Sequence, residues 1–222
     1  MEKPFLQSVC LKLVYKGIFR PVLKYYVGVQ YSDCSFLKDE KQFVIIANHN
    51  SHLDTLSLLA SLPNEILWKV KPVAAEDYFG NTKLKAKLSR FFINALLINR
   101  KSKDGSCSAM DRLVNAIEEG YSLILFPEGS RGEPEQMSKM KTGIARLLAQ
   151  KPGLKYVPVF MTGMGTSLPK GGLVALPYNA SLHFGKPTLP ESSDPHIIME
   201  QIEGDFQSMI QQFGIKEDDD DD

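Results

Sequence analysis

The 222-residue chain is poor in the residues that mark several functional classes. Its three cysteines, Cys10, Cys34 and Cys107, are scattered and odd in number. They provide neither a disulfide framework nor a paired-thiolate metal site, and a reducing compartment is the simpler setting. There are four histidines; beyond His49 and His52, the other two, His183 and His196, stand outside any ligand-like cluster. No metal is therefore expected. No run of 18 apolar residues occurs, so no single segment is an obvious spanning helix. The N-terminus lacks the apolar core and cleavage site of a signal peptide. Net charge is also missing, with 26 basic residues against 26 acidic ones. That zero hides an asymmetry: Glu217 to Asp222 are all acidic, and the remainder carries 26 basic against 20 acidic residues. A basic body suits an anionic partner such as a phosphate ester or a lipid headgroup. No nucleic-acid partner is expected.

What the chain does have is a regular alternation of strand and helix signals. Apolar residues make up 43%, enough for one domain with a real core. Strands are predicted at Phe43–Ala47, in the β-rich stretch Leu67–Ala75, and at Leu96–Asn99, Ser122–Phe126, Tyr156–Met161 and Ala180–Phe184. Helices are predicted at Thr55–Leu62, Thr82–Phe92, Ser106–Glu119, Ser138–Gln150 and His196–Phe213. The Gly/Pro-rich stretch Gly163–Pro177 reads as a long loop. The pattern predicts a single α/β domain at residues 31-214, with a mixed, largely parallel central sheet flanked by helices. A segment at 1-30 precedes it, and residues 215-222 form an acidic disordered tail.

The first segment is amphipathic. On a helical wheel, Leu11, Val14, Tyr15, Ile18, Phe19 and Val22 share one side, while Lys12, Lys16, Arg20 and Lys24 share the other. Leu13 and Leu23 interrupt the polar face, and Pro21 is expected to kink or divide the helix. This is the pattern of a helix lying in a membrane interface, although a helix packed on the protein's own core gives a similar pattern.

In α/β folds, chemistry gathers where strands give way to loops. The strand Phe43–Ala47 runs into Asn48-His49-Asn50-Ser51-His52-Leu53-Asp54. A histidine accepts a proton near neutral pH, and a carboxylate can fix its tautomer and stabilise the imidazolium. His49 and Asp54 are thus a candidate base and orienter. No serine stands in a nucleophile-elbow motif, so the nucleophile is expected from a substrate hydroxyl. A second junction, Phe126-Pro127-Glu128-Gly129-Ser130-Arg131, puts a carboxylate and a guanidinium on one tight turn. Arg131 could hold a phosphate in bidentate fashion. Glu128 could accept from substrate hydroxyls or steady Arg131 in a local ion pair. Arg100 ends another strand, and Pro158 interrupts an apolar run.

These blocks resemble the glycerolipid acyltransferase family. Asn-His-x-Ser-x-x-Asp, with His49 and Asp54, is similar to its first motif, and Phe126 to Arg131 matches its third residue for residue. Arg100 sits where the second motif places an arginine, and Pro158 matches the proline of the fourth. The separation of 79 residues between His49 and Glu128 also suits the family. The resemblance covers roughly residues 40 to 190 and points to the 1-acylglycerol-3-phosphate subfamily. The second block departs from the family pattern, so the acceptor is the least transferable feature.

The resemblance implies acyl transfer from acyl-CoA or acyl carrier protein, as co-substrate, to a lysophospholipid hydroxyl, with no other cofactor. It implies His49 as general base and Asp54 as its orienter. Arg100 and Arg131 would hold the acceptor phosphate, Glu128, Gly129 and Ser130 would shape its pocket, and Lys141 would be a further phosphate contact. Pro158 would shape the wall. Leu56, Leu58 and Leu59 would either line an acyl groove or form the core face of their helix. The expected setting is peripheral, on the cytoplasmic face of a phospholipid membrane. A metallohydrolase using His49, His52 and Asp54, or a lipid-binding module without catalysis, is the alternative of a different class.

Overall fold

A computed structural model describes residues 5–76, 92–99, 108–129, 137–168 and 176–214. Seven strands form one sheet in the order β1-β7-β6-β2-β5-β3-β4. They are β1 (Gln30–Tyr31), β2 (Phe43–Ala47), β3 (Val70–Ala75), β4 (Leu96–Ile98), β5 (Ser122–Leu125), β6 (Lys155–Thr162) and β7 (Ser181–Phe184). All neighbours pair in parallel except β6 and β7. The expected mixed, largely parallel sheet is therefore present.

Every residue of β2 is buried. A parallel strand covered on both faces has no solvent side, so its sequence, FVIIA, need not alternate with polar residues. Phe43, Ile45 and Ala47 pack on one face with Leu11, Tyr15, Leu58 and Leu59. Val44 and Ile46 pack on the other with Leu113, Ile144, Tyr156, Ile202 and Phe206. The sheet is thus sandwiched between an N-terminal helix and α2 (Leu53–Ser61) on one side, and α3 (Ala109–Glu118), α4 (Gly143–Gln150) and α6 (Pro195–Phe213) on the other. Leu58 and Leu59 are fully buried in this core, so they form the packed face of α2.

Helix starts follow local chemistry. Ser108 and Asp111 form a reciprocal capping box at α3. Asp194 caps α6, whose first residue is Pro195. The helix α4 begins at Gly143, five residues later than Ser138. The reason is that Ser138 N–H is taken by the Glu128 carboxylate and Lys141 N–H by Pro127 O. The Gly163–Pro177 stretch contains a helical turn, α5 (Met164–Ser167), that the sequence reading treated as loop. The predicted helix Thr82–Phe92 lies almost wholly outside the described residues.

The N-terminal helix differs from the wheel. α1 (Phe5–Lys12) passes into π-helical stretches Leu13–Phe19 and Val22–Val27, and the chain stays helical through Pro21. Wider i→i+5 turns change which residues share a face. Leu11, Tyr15, Leu23 and Val27 point into the core, so Leu23 is not a break in a polar face. Lys16 and Arg20 do not extend into solvent. Lys16 Nζ donates to Ala60 O (2.7 Å) and Leu62 O, and Arg20 Nη1 donates to Ala60 O (3.0 Å) and Ser61 O (3.3 Å). The two cations satisfy the open carbonyls at the C-terminus of α2 and oppose its dipole. Phe5, Leu6, Leu13, Ile18, Val22, Tyr25 and Tyr26 are left exposed.

Candidate active site

The sequence-predicted pair meets at the C-terminal edge of β2. His49 Nδ1 lies 2.9 Å from Asp54 Oδ2. Asp54, in the first turn of α2, is fully buried, and the same oxygen accepts from Asn50 N (2.8 Å) and Ser51 N (2.8 Å). Two amides committed to that oxygen make it an acceptor, so Nδ1 must bring the proton to the third bond. Neutral His49 then carries its lone pair on Nε2. Nε2 has no hydrogen-bond partner among the described residues, and the side chain is 21% exposed. That is the tautomer and the access that a general base needs.

The loop is tied to its neighbours on both sides. Asn48, buried at the end of β2, donates from Nδ2 to Met161 O and accepts at Oδ1 from Met161 N, both at 2.8 Å. Ser51 Oγ donates to Leu168 O at 3.0 Å. On the other side lies the turn after β5. The His49 ring stacks on Phe126, with centroids 4.2 Å apart and planes 24° apart. His49 N–H donates to Glu128 Oε1 at 2.7 Å, and Ser138 N–H donates to Glu128 Oε2 at 2.9 Å. Burial pushes the Glu128 carboxyl above the ordinary glutamate range, more than its amide donors pull it down. Gly129 has φ +77°, and the Lys141 side chain folds over it where a β-carbon would have no room.

The structure therefore brings together His49, Asp54, Glu128, Gly129 and Lys141. Pro158 lies inside β6 opposite Ile46, three residues before His49, and is buried with Gly185 against its ring. Its carbonyl accepts from Gly185 N, and the next pairing is Tyr156 with Thr188, which leaves one extra residue on the β7 side. That bulge is why a central strand tolerates a residue without an N–H. Arg100, Ser130 and Arg131 lie outside the described residues. His52 is exposed at the start of α2, and among the described residues no group of His, Cys, Asp and Glu is placed to hold a metal ion.

Sequence reasoning placed Asn48 and Phe126 in the motif blocks without giving either a role, and it missed Ser138 altogether. Asn48 gave a signal, being a polar residue placed directly after five apolar ones. Ser138 gave none, because what it brings to Glu128, a main-chain amide and a hydroxyl, any serine could bring.

Known proteins resemble the chain in sequence and in fold. The Acyltransferase family model matches residues 28–162. The chain is 30% identical over 120 residues to the 1-acyl-sn-glycerol-3-phosphate acyltransferase of Helicobacter pylori, covering 53% of this chain and 47% of that protein. It is also 30% identical over 139 residues to Taffazin of Dictyostelium discoideum, covering 59% and 48%. The chain thus spans about half the length of these relatives. The crystal structure of the 1-acyl-sn-glycerophosphate acyltransferase from Thermotoga maritima superposes with a TM-score of 0.74 at 17% identity, covering 96% of this chain and 82% of the other. With more than half of its length matched by the family model, and with the motif residues His49, Asp54 and Glu128 assembled at one sheet edge, the chain belongs to the Acyltransferase family.

Proposed function

We propose that the protein moves a fatty acyl group from an acyl thioester, acyl-CoA or acyl carrier protein, to a lysophospholipid hydroxyl. The foremost acceptor is 1-acylglycerol 3-phosphate, giving phosphatidate. The observation that carries the reading is the His49–Asp54 pair, with Nδ1 spent on the carboxylate and Nε2 without a partner among the described residues. His49 Nε2 takes the acceptor's hydroxyl proton while the oxygen forms a bond to the thioester carbon. The tetrahedral intermediate collapses with cleavage of the C–S bond, and the imidazolium returns the proton to the leaving thiolate. Asp54 stabilises the imidazolium throughout. Arg100, Arg131 and Lys141 hold the acceptor phosphate, with Gly129 and Ser130 shaping the turn beneath it and Pro158 shaping the sheet edge. No metal or resident cofactor enters this scheme.

Among the described residues, no helix is long and apolar enough to cross a membrane. The exposed apolar side chains of the N-terminal helix support peripheral binding to a phospholipid surface, and the soluble thioester donor would reach it from the cytoplasmic side. That helix ends at the catalytic edge of the sheet, where Tyr178 N–H donates to Val27 O and Gln30 N–H to Ala180 O. Tyr25, Tyr26, Leu176 and Tyr178 are exposed there, next to the strand pair Thr162 and Ser181. A lysophospholipid could pass sideways from a monolayer to His49 along this edge.

A thiol-release assay tests the reading. Long-chain acyl-CoA or acyl carrier protein is offered with lysophosphatidate, lysophosphatidylcholine, lysophosphatidylethanolamine, lysophosphatidylglycerol or glycerol 3-phosphate. Release with lysophosphatidate that is lost in His49→Ala is the expected result. Release with another acceptor keeps the mechanism and changes the substrate. The equal identity to a relative of a different name makes that arm of the panel necessary. No release from any donor and acceptor pair rejects the enzyme and leaves a lipid-binding module.

A further inference from the structure

Glu128 stands between two chain segments rather than in front of a substrate. Its two oxygens accept from His49 N at 2.7 Å and from Ser138 N at 2.9 Å. Only 4% of the residue is exposed. An acceptor hydroxyl would have to enter a covered position and compete with a main-chain amide for each oxygen. Asp54 treats the next two residues in the same way, accepting from Asn50 N and Ser51 N. Two carboxylates from different segments thus hold three consecutive amides of the loop that carries the base. The Asp54 end fixes the ring through Nδ1, and the Glu128 end fixes the backbone from which the ring projects. The stack of His49 on Phe126 adds a third restraint, from the same turn that carries Glu128.

We infer that Glu128 is a positioning residue, setting the His49 imidazole through the main chain without touching the acyl acceptor. This deepens the acyltransferase reading and rests on it for its kinetic consequence. The bridging geometry itself is testable without any substrate. Because the bridge needs an acceptor at both oxygens, Glu128→Gln keeps the shape of the side chain and turns one oxygen into a donor facing an N–H.

The experiment compares wild type, Glu128→Gln and Glu128→Asp as full-length, ¹⁵N-labelled protein. In wild type, the His49 and Ser138 amide protons should both resonate downfield, as donors to a carboxylate do. In Glu128→Gln both should move upfield together while the remaining spectrum stays dispersed. Kinetics of the same proteins should show kcat reduced about 10- to 100-fold with the acceptor KM within about twofold, the scale expected for a base displaced by up to an ångström. Glu128→Asp, shorter by one methylene, should recover part of the kcat. Unmoved His49 and Ser138 amides in a folded Glu128→Gln protein would overturn the bridge whether or not the enzyme assay works. An acceptor KM raised tenfold with kcat retained would overturn positioning in favour of substrate contact. If wild type itself turns over no acceptor, the acyltransferase reading fails while the amide shifts still decide the bridge.

Discussion

The imidazole of His49 lies flat against the ring of Phe126, 4.2 Å away between centroids. The imidazole is therefore held by an aromatic face as well as by a carboxylate, and the two restraints act in different directions. Asp54 fixes where Nδ1 points, and Phe126 fixes the plane in which the ring can turn. Such a stacked pair is worth about 0.5–1.5 kcal/mol beyond area burial. Phe126→Leu, which stays apolar and loses the aromatic face, should lower kcat by about 2- to 10-fold while the melting temperature falls by only about 2–4 °C. Steady-state kinetics beside a thermal melt distinguishes this from simple unfolding.

Asp54→Asn should be as damaging as loss of the histidine. An amide in place of the carboxylate cannot accept from His49 Nδ1, Asn50 N and Ser51 N as one charged oxygen does, and it favours the wrong tautomer. The expected fall in kcat is about 10³- to 10⁴-fold, by analogy with orienting carboxylates in other base–carboxylate pairs. His49→Ala should lose about 10²- to 10⁴-fold. The double variant should be little worse than either single change, because the residues act as a unit.

Lys16 gives a pH signature of stability. Burial, and then the neighbouring Arg20, push its ammonium down to about 8 from the ordinary lysine value of 10.5. Between these values the unfolded chain holds a proton that the folded chain has released, so stability rises with pH across that window. Below about pH 8 the charged form carries a constant cost. The difference in melting temperature between wild type and Lys16→Met should therefore shift in favour of wild type from pH 7.5 to pH 10. A flat difference would mean that Lys16 is not held against the end of α2.

Two glycines should respond in opposite directions to alanine. Gly163 has φ +73°, and a β-carbon there would come within 2.6 Å of Asn179 O and 2.8 Å of Ala180 Cα. The backbone strain alone is about 1–3 kcal/mol. Gly204 lies within α6 with open space around it, and Gly204→Ala should stabilise by about 0.5–1 kcal/mol. Chemical denaturation of the two variants measures both signs.

Leu6 and Leu13 test the membrane surface. They are 79% and 65% exposed and take no part in the core. If each inserts among acyl chains, it contributes about 1.5–3 kcal/mol. Replacing both by Asp should weaken co-sedimentation with anionic vesicles at least about tenfold while the melting temperature holds. Undiminished binding would assign the vesicle contact to another face.

The parts of the site that the sequence made legible were local. His49 and Asp54 stand five residues apart on one strand–loop–helix turn, and Phe126 to Gly129 form one tight turn. What stayed hidden depended on partners distant in sequence. The start of α4 is set by amides pledged to Glu128 and Pro127, which no helix signal near Ser138 encodes. The faces of the N-terminal helix were misassigned because a wheel assumes regular α-helical turns and one apolar side. Here the turns widen after Lys12, and apolar residues cover both the core side and the outer side. The parallel sheet was readable because only a strand buried on both faces tolerates five apolar residues in a row.

The pairing of β2 with β5 decides where this chain tolerates changes in length. Val44 faces Leu123, and the same offset of 79 residues continues past both strands to His49 and Glu128. The contact therefore depends on which rung of the ladder each residue occupies and not on how much chain lies between. Residues added at the exposed Asn64–Glu65 turn leave that rung untouched. One residue added between Leu123 and Glu128 would slide the carboxylate by about 3.3 Å and swing it to the opposite face. The spacing of the two motifs is a by-product of strand alignment, and a change of length in an exposed turn of this chain leaves the rung in place.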